Sequence, residues 1–140
     1  MKLKIVEAKH TRKKRKLKAA IAFHAKGIIC ANVLLCELME LEPDDLLSFI
    51  QDQDNPKNWY IGRNLPSGSR LRYHTDNKTL YTANNGIKEL IDESIGVAGK
   101  SYSFMVSRTP IDTVAYGKLY AILNGSLKMS IRDKGGGGGE

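Results

Sequence analysis

Ala31-Asn32-Val33-Leu34-Leu35-Cys36-Glu37-Leu38-Met39 and, 52 residues further on, Ala83-Asn84-Asn85-Gly86-Ile87-Lys88-Glu89-Leu90-Ile91 read as the same piece of local structure. In the first, Asn32 stands where a helix N-cap belongs, and Val33, Leu34, Leu35, Leu38, Met39 and Leu41 follow at helical spacing. In the second, Asn84 or Asn85 caps a helix through Ile87, Leu90, Ile91 and Ile95. The first helix should stop before Pro43, since the residue ahead of a proline is disfavoured in α conformation. The second should end at Gly96.

Working outward, residues 18–24 and Ile28-Ile29-Cys30 read as strands around the turn Ala25-Lys26-Gly27. Leu46-Leu47-Ser48-Phe49-Ile50 and Trp59-Tyr60-Ile61 read as two more, joined by a polar loop. The second half repeats the order. Residues 70–74, Leu80-Tyr81-Thr82, residues 102–107 and residues 119–123 supply its strands, with a turn at Asp76-Asn77 and Pro110 in the last loop. Phe23-His24 falls on Tyr73-His74 at an offset of 50, and Ser48-Phe49-Ile50 on Ser103-Phe104-Met105 at 55. The changes of offset fall in loops, where added length costs little. The expected fold is therefore α+β, a tandem β-β-α-β-β duplication (residues 18–63 and 69–123, linked by 64–68) within one domain, 18–131. Residues 1–17 form a basic arm, and the tail 132–140 is expected to be a flexible linker because of its five consecutive glycines, Gly135 to Gly139.

A strand, Gly27-Ile28-Ile29, a leucine-rich helix ending at Leu41, then Glu42-Pro43-Asp44-Asp45-Leu46-Leu47-Ser48-Phe49, resembles the AbrB-like swapped-hairpin family. The sequence departs from that family's pattern at Asn32, where a Pro is usual, and at Met39-Glu40, where the helix-end Gly would stand. Family members build a barrel from two chains that exchange hairpins. The resemblance implies that a duplicated chain forms a barrel-like pseudo-dimer alone, and that it binds DNA through basic side chains on the β-layer and its loops, as transcription regulators and antitoxin DNA-binding halves do. The positions this nominates are Lys26, Arg63, Arg70 and Arg72, with Arg70 and Arg72 two apart on one strand and so facing one side.

Charge points the same way. Nine Lys or Arg fall between Met1 and Lys18 against one acid, Glu7, whereas the remaining residues carry 13 bases and 14 acids. Dense cationic charge gains affinity for phosphate chains by releasing their counterions. Arg12, Lys13, Lys14, Arg15, Lys16 and Lys18 are the strongest local signal; if five or six such charges each meet a phosphate, log affinity should fall with log salt at a slope of roughly −5. Other partners stay open: RNA or single-stranded DNA, for which Trp59, Tyr60, Tyr73, Tyr81 and Tyr102 offer stacking rings if they are not core, and an acidic protein docked by the arm of an inhibitor or assembly factor.

Catalytic constellations are thin. No Walker loop, Rossmann glycine fingerprint, His-Glu-x-x-His or Cys-x-x-Cys occurs, so no enzyme activity, cofactor or metal is expected. His24 and His74 match across the halves but lack a third ligand, and the aspartates cluster at turns, where their side chains bond the backbone. Cys30 and Cys36 are expected to fill the core as small apolar residues. With two cysteines, no apolar h-region after the basic N-terminus and no apolar run of membrane length, a soluble cytoplasmic protein is the expectation.

Overall fold

A computed structural model of the chain describes residues 2–3, 18–73 and 79–130. Their elements run β1 (Ala20–Phe23), β2 (Ile28–Ala31), α1 (Val33–Met39), β3 (Leu46–Gln51), β4 (Trp59–Arg63), β5 (Ser69–Arg70), β6 (Arg72–Tyr73), β7 (Leu80–Ala83), α2 (Asn85–Ile95), β8 (Tyr102–Met105), β9 (Ile111–Thr113), β10 (Gly117–Ala121) and β11 (Lys128–Met129). The class is α+β: a six-stranded antiparallel sheet, β11-β8-β1-β2-β7-β6, and a five-stranded one, β5-β3-β4-β10-β9.

Both helices begin as the sequence requires. Asn32 and Asn84 hold extended backbone, and their side-chain oxygens accept from the N–H of Leu35 (2.9 Å) and Ile87 (3.0 Å), satisfying donors the helix leaves open. Both also end alike, on a left-handed residue whose N–H turns back to the last carbonyls. In α2 that residue is Gly96 (φ 79°); in α1 it is Glu40 (φ 56°), so α1 stops one turn short of Pro43. The αL position costs a glutamate what a glycine avoids, which is why sequence pattern carried the helix on to Leu41.

The two halves meet through β2 and β7. Ile28 pairs with Ala83 and Ala31 with Leu80, while Ile29 pairs with Thr82 and Cys30 with Tyr81. At the offset of 52, Ala83 corresponds to Ala31 and Leu80 to Ile28, so the ladder is its own two-fold image. The expected strand over residues 70–74 is split. Leu71, fully buried, gives its N–H to Asp45 and takes the N–H of Asp44, leaving β5 on the five-stranded sheet and β6 on the six-stranded one. On the other side, the sheets touch through a single bridge, Val106 with Ile122. With the ladder interrupted at one side and reduced to one bridge at the other, no closed barrel forms. Three elements were absent from the expectation: β9, β11 and the 3-10 turn Asn124–Ser126 between β10 and β11.

Alternation fills the space between the sheets. Ile21, Phe23, Ile29, Leu35, Leu47, Ile61, Leu71 and Ile91 are fully buried, and the Phe23 ring lies 5.5 Å from that of Tyr102 and 6.1 Å from those of Phe49 and Phe104. Removing one such ring costs about 3–5 kcal/mol. Gly27 (φ 89°) turns β1 into β2 against the start of α2, where any Cβ would overlap the Asn85 side chain. The joint is completed by the Asn84 N–H donating to the Gly27 carbonyl (2.9 Å).

Among the described residues, one charged pair, Lys88 and Asp92, is buried. Lys88 of α2 is 2% exposed and donates to Asp92 (2.7 Å), whose same oxygen accepts from the Tyr102 hydroxyl (2.7 Å), while the Lys88 Nζ stands 4.9 Å from the Tyr102 ring centre. Burial acts to raise the Asp92 pKa but is outweighed by hydrogen bonds from Lys88, Tyr102 and the Gly99 N–H, which hold it below the ordinary carboxylate value. Burial and the neighbouring carboxylate push the Tyr102 phenol up. A lowered folded-state pKa contributes stability above the unfolded value, near 3.9, that is lost as pH falls through the folded one. Asp92→Asn, which leaves the Lys88 charge buried without its partner, is expected to cost about 3–5 kcal/mol at neutral pH. Below about pH 4 it should lose less further stability than the parent. Urea midpoints at neutral and acid pH measure both; equal acid sensitivity in parent and variant would contradict the assignment.

Candidate nucleic-acid interface

The six-stranded sheet turns its small side chains away from the core. Ile21, Phe23, Ile29, Ala31, Leu80, Thr82, Tyr102 and Phe104 point inward and are buried. Their neighbours along each strand therefore face outward. Direct cross-strand partners share a face, so the registers define one row across all six strands: Lys128, Ser103, Ala22, Cys30, Tyr81 and Arg72. Five strand spacings of about 4.8 Å put its ends roughly 24 Å apart. A cation stands at each end with small or flat groups between.

None of the six strands contains an Asp or Glu. Among the described residues, the exposed carboxylates Glu37, Glu40, Glu89 and Glu93 lie on or just past the two helices, Glu42, Asp44 and Asp54 lie in the turns around β3, and Asp112 lies on β9 of the other sheet. At the Lys128 end the face dips into a shallow depression lined by Ala22, His24, Ser103, Lys128 and Ser130.

The structure places the sequence-nominated residues unevenly. Arg12, Lys13, Lys14, Arg15 and Lys16 lie outside the described residues, as does His74. Lys18, where the arm reaches the body, is exposed and shares the outward side of β1's ladder with Ala20 and Ala22. Lys26 is exposed on the β1–β2 turn, next to the Gly27 joint with α2. Arg70 and Arg72 are both exposed, but the split at Leu71 puts them on different sheets rather than on one strand; Arg70 pairs with Leu46 and Arg72 with Tyr81. Arg63 is engaged. Its Nε donates to Asp45 (2.9 Å), which also accepts from Asn64 and from the Glu42 N–H. Burial of Asp45 is outweighed by those bonds, which hold its carboxyl below the ordinary range. This cluster fastens the turn before β3 to the end of β4, and the Arg63 side chain stays partly exposed beside it.

Among the aromatics, Trp59 and Tyr102 are buried, the former donating its indole N–H to Ser94 (3.0 Å), while Tyr81 faces outward and Tyr73 is 52% exposed at the sheet edge. Among the described residues, no three His, Cys, Asp or Glu converge as metal ligands.

Compared with known proteins, the chain matches no family model, no curated protein and no solved structure.

Lys128, Ser103 and Arg108 escaped the sequence reading. Lys128 belongs to a two-residue strand, too short to show alternation, and its place opposite Ser103 depends on the 3-10 turn before it. Cys30 was expected in the core and is not there. It faces outward between Ala22 and Tyr81 and is partly exposed, whereas Cys36 is buried with its thiol on the Ala31 carbonyl (3.6 Å). Burial pushes both thiols up from the ordinary value. Cys30 is therefore expected to alkylate slowly in the native protein at mildly alkaline pH while Cys36 stays unmodified until unfolding. Mass spectrometry of iodoacetamide-treated protein reads this, and faster labelling of Cys36 would reverse the assigned faces.

Proposed function

We propose that this chain binds double-stranded DNA, without catalysis, as an accessory or regulatory factor. The observation that carries the reading is the acid-free outer face of the six-stranded sheet, with Arg72 and Lys128 on its two flanks. Phosphate contacts fix the orientation of a duplex. Cations at both edges of the face can contact backbone phosphates on either side of a duplex, and the small side chains of Ser103, Ala22 and Cys30 between them leave room for close approach. The arm, Arg12 to Lys18, supplies affinity by counterion release; Lys26 adds charge on the β1–β2 turn, and Arg70 adds it on the neighbouring sheet.

The same reading takes residues 18–63 and 69–123 as a tandem β-β-α-β-β duplication of AbrB-like swapped-hairpin character, in an open, barrel-like arrangement. Support comes from the paired Asn caps, the two-fold register of β2 with β7, and the passage between sheets at Leu71 and at the Val106–Ile122 bridge. Among the described residues no helix is long and apolar enough to cross a membrane, and two free thiols fit a reducing, cytoplasmic setting.

A second reading, a protein-interaction module, is favoured by the β9–β10 hairpin. Thr113 braces its turn by accepting from the Tyr116 N–H and donating to the Gly117 carbonyl, yet Ile111, Val114 and Tyr116 are all exposed.

Fluorescence anisotropy with labelled duplex DNA, single-stranded DNA and RNA across a salt series separates these. The proposal expects duplex to bind best, with a steep salt slope that loses about 0.9 for each of Arg72→Ala and Lys128→Ala. A preference for single strands or RNA would move the reading to base stacking on Tyr81 of the outer face. No binding to any of the three at low salt would remove it and leave the hairpin as the surface to pursue.

A further inference from the structure

Where the arm joins the body, the backbone is fixed with unusual thoroughness. The Asn32 side chain, besides capping α1, accepts from the Ala20 N–H (3.1 Å) and donates its amide to the Lys18 carbonyl (2.8 Å). Alongside, Val106 donates its N–H to Ala19 (2.9 Å), extending the β1–β8 ladder past both named strands. That register brings Lys18 opposite Ser107, one residue from Arg108.

Lys18 and Arg108 line one groove with Ala19, Leu34, Leu38 and Glu37, between α1 and the entry to β1. Both cations are exposed, and neither has an ion pair or side-chain hydrogen bond among the described residues. Ala19, Leu34 and Leu38 complete its lining. Glu37, exposed on α1, is its one acid.

We infer that this groove seats a backbone phosphate of the bound DNA, held between Lys18 and Arg108, at the point where the duplex leaves the sheet face for the arm. The inference rests on the DNA-binding reading and adds to it a site and a residue, Arg108. A guanidinium offers a phosphate two parallel N–H donors, which an ammonium cannot. Lys18 falls on the outward side with Ala20 and Ala22, whereas Ala19, Leu34 and Leu38 belong to the core side, so the groove lies at the end of the sheet between the two. Glu37 repels the same phosphate, and this gives the site an unusual signature: two neutralising substitutions with opposite effects.

Duplex anisotropy over a salt series, with the full chain, tests the assignment through Arg108→Gln and Glu37→Gln. Arg108→Gln is expected to weaken binding a few-fold at low salt and to take about 0.9 off the salt slope. Glu37→Gln is expected to tighten binding a few-fold. Both residues are exposed, so neither substitution should alter folding, and thermal melts establish that. Parent-like affinity and slope in both variants, with the parent binding duplex, would overturn this site alone. Weakening by Glu37→Gln would also overturn it, because a repelling carboxylate cannot support binding. Failure of the parent to bind duplex at all would remove the site together with the reading it rests on.

Discussion

The four-residue ladder between β2 and β7 is the constraint on which the rest depends. Without it, β1-β2 and β6-β7 would be separate hairpins, and isolated hairpins are marginal in water. With it, the hairpins and β8 share one sheet whose inward positions, Ile21, Phe23, Ile29, Leu80 and Tyr102, all serve one core. Because side chains alternate with a period of two, fixing this register also fixes the opposite face. The same pairings that bury Ile29 therefore present Cys30 beside Tyr81 and complete the row from Lys128 to Arg72. Core and surface are two consequences of one register.

Charge is distributed to match. The strands of that sheet hold no acid, the exposed carboxylates among the described residues lie on the helices, in turns and on β9, and the buried Lys88 is neutralised by Asp92 within α2. A nearly neutral body thus keeps a face without carboxylates, which the nine bases of residues 1–18 would otherwise meet as competitors for phosphate. Asn32 ties the two regions together: one side chain starts α1, closes β1 and holds the backbone from which the arm departs.

Local chemistry made much of the fold legible in the sequence. Asn32 and Asn84 marked helix starts, Gly96 an end, Gly27 a turn, and the alternation of Ile21 and Phe23 a strand with one buried side. What could not be read was set by partners distant in the chain. Leu71 looks like the middle of an ordinary strand, and only Asp44 and Asp45 reveal that its hydrogen bonds go elsewhere and split the strand between two sheets. Glu40 accepts a left-handed conformation because the chain must turn there into β3. The site divides similarly. Arg70 and Arg72 were visible as spacing, and Arg63 as charge, but its engagement by Asp45 belongs to the tertiary structure. Lys128 and Arg108 owe their positions to β11 and to the extension of β8, short pieces whose pairing no local pattern announces.

The most direct test of the account asks whether bound DNA covers the middle of the acid-free face. Cys30 is a natural reporter there, flanked by Ala22 and Tyr81 in the central row, and Cys36 is a buried internal control. The rate of Cys30 alkylation should be measured with and without saturating duplex at low salt. The account predicts that duplex slows the reaction strongly and that added salt, which releases the DNA, restores it. An unchanged Cys30 rate under conditions where anisotropy shows the duplex fully bound would contradict the account and place the DNA elsewhere on the molecule.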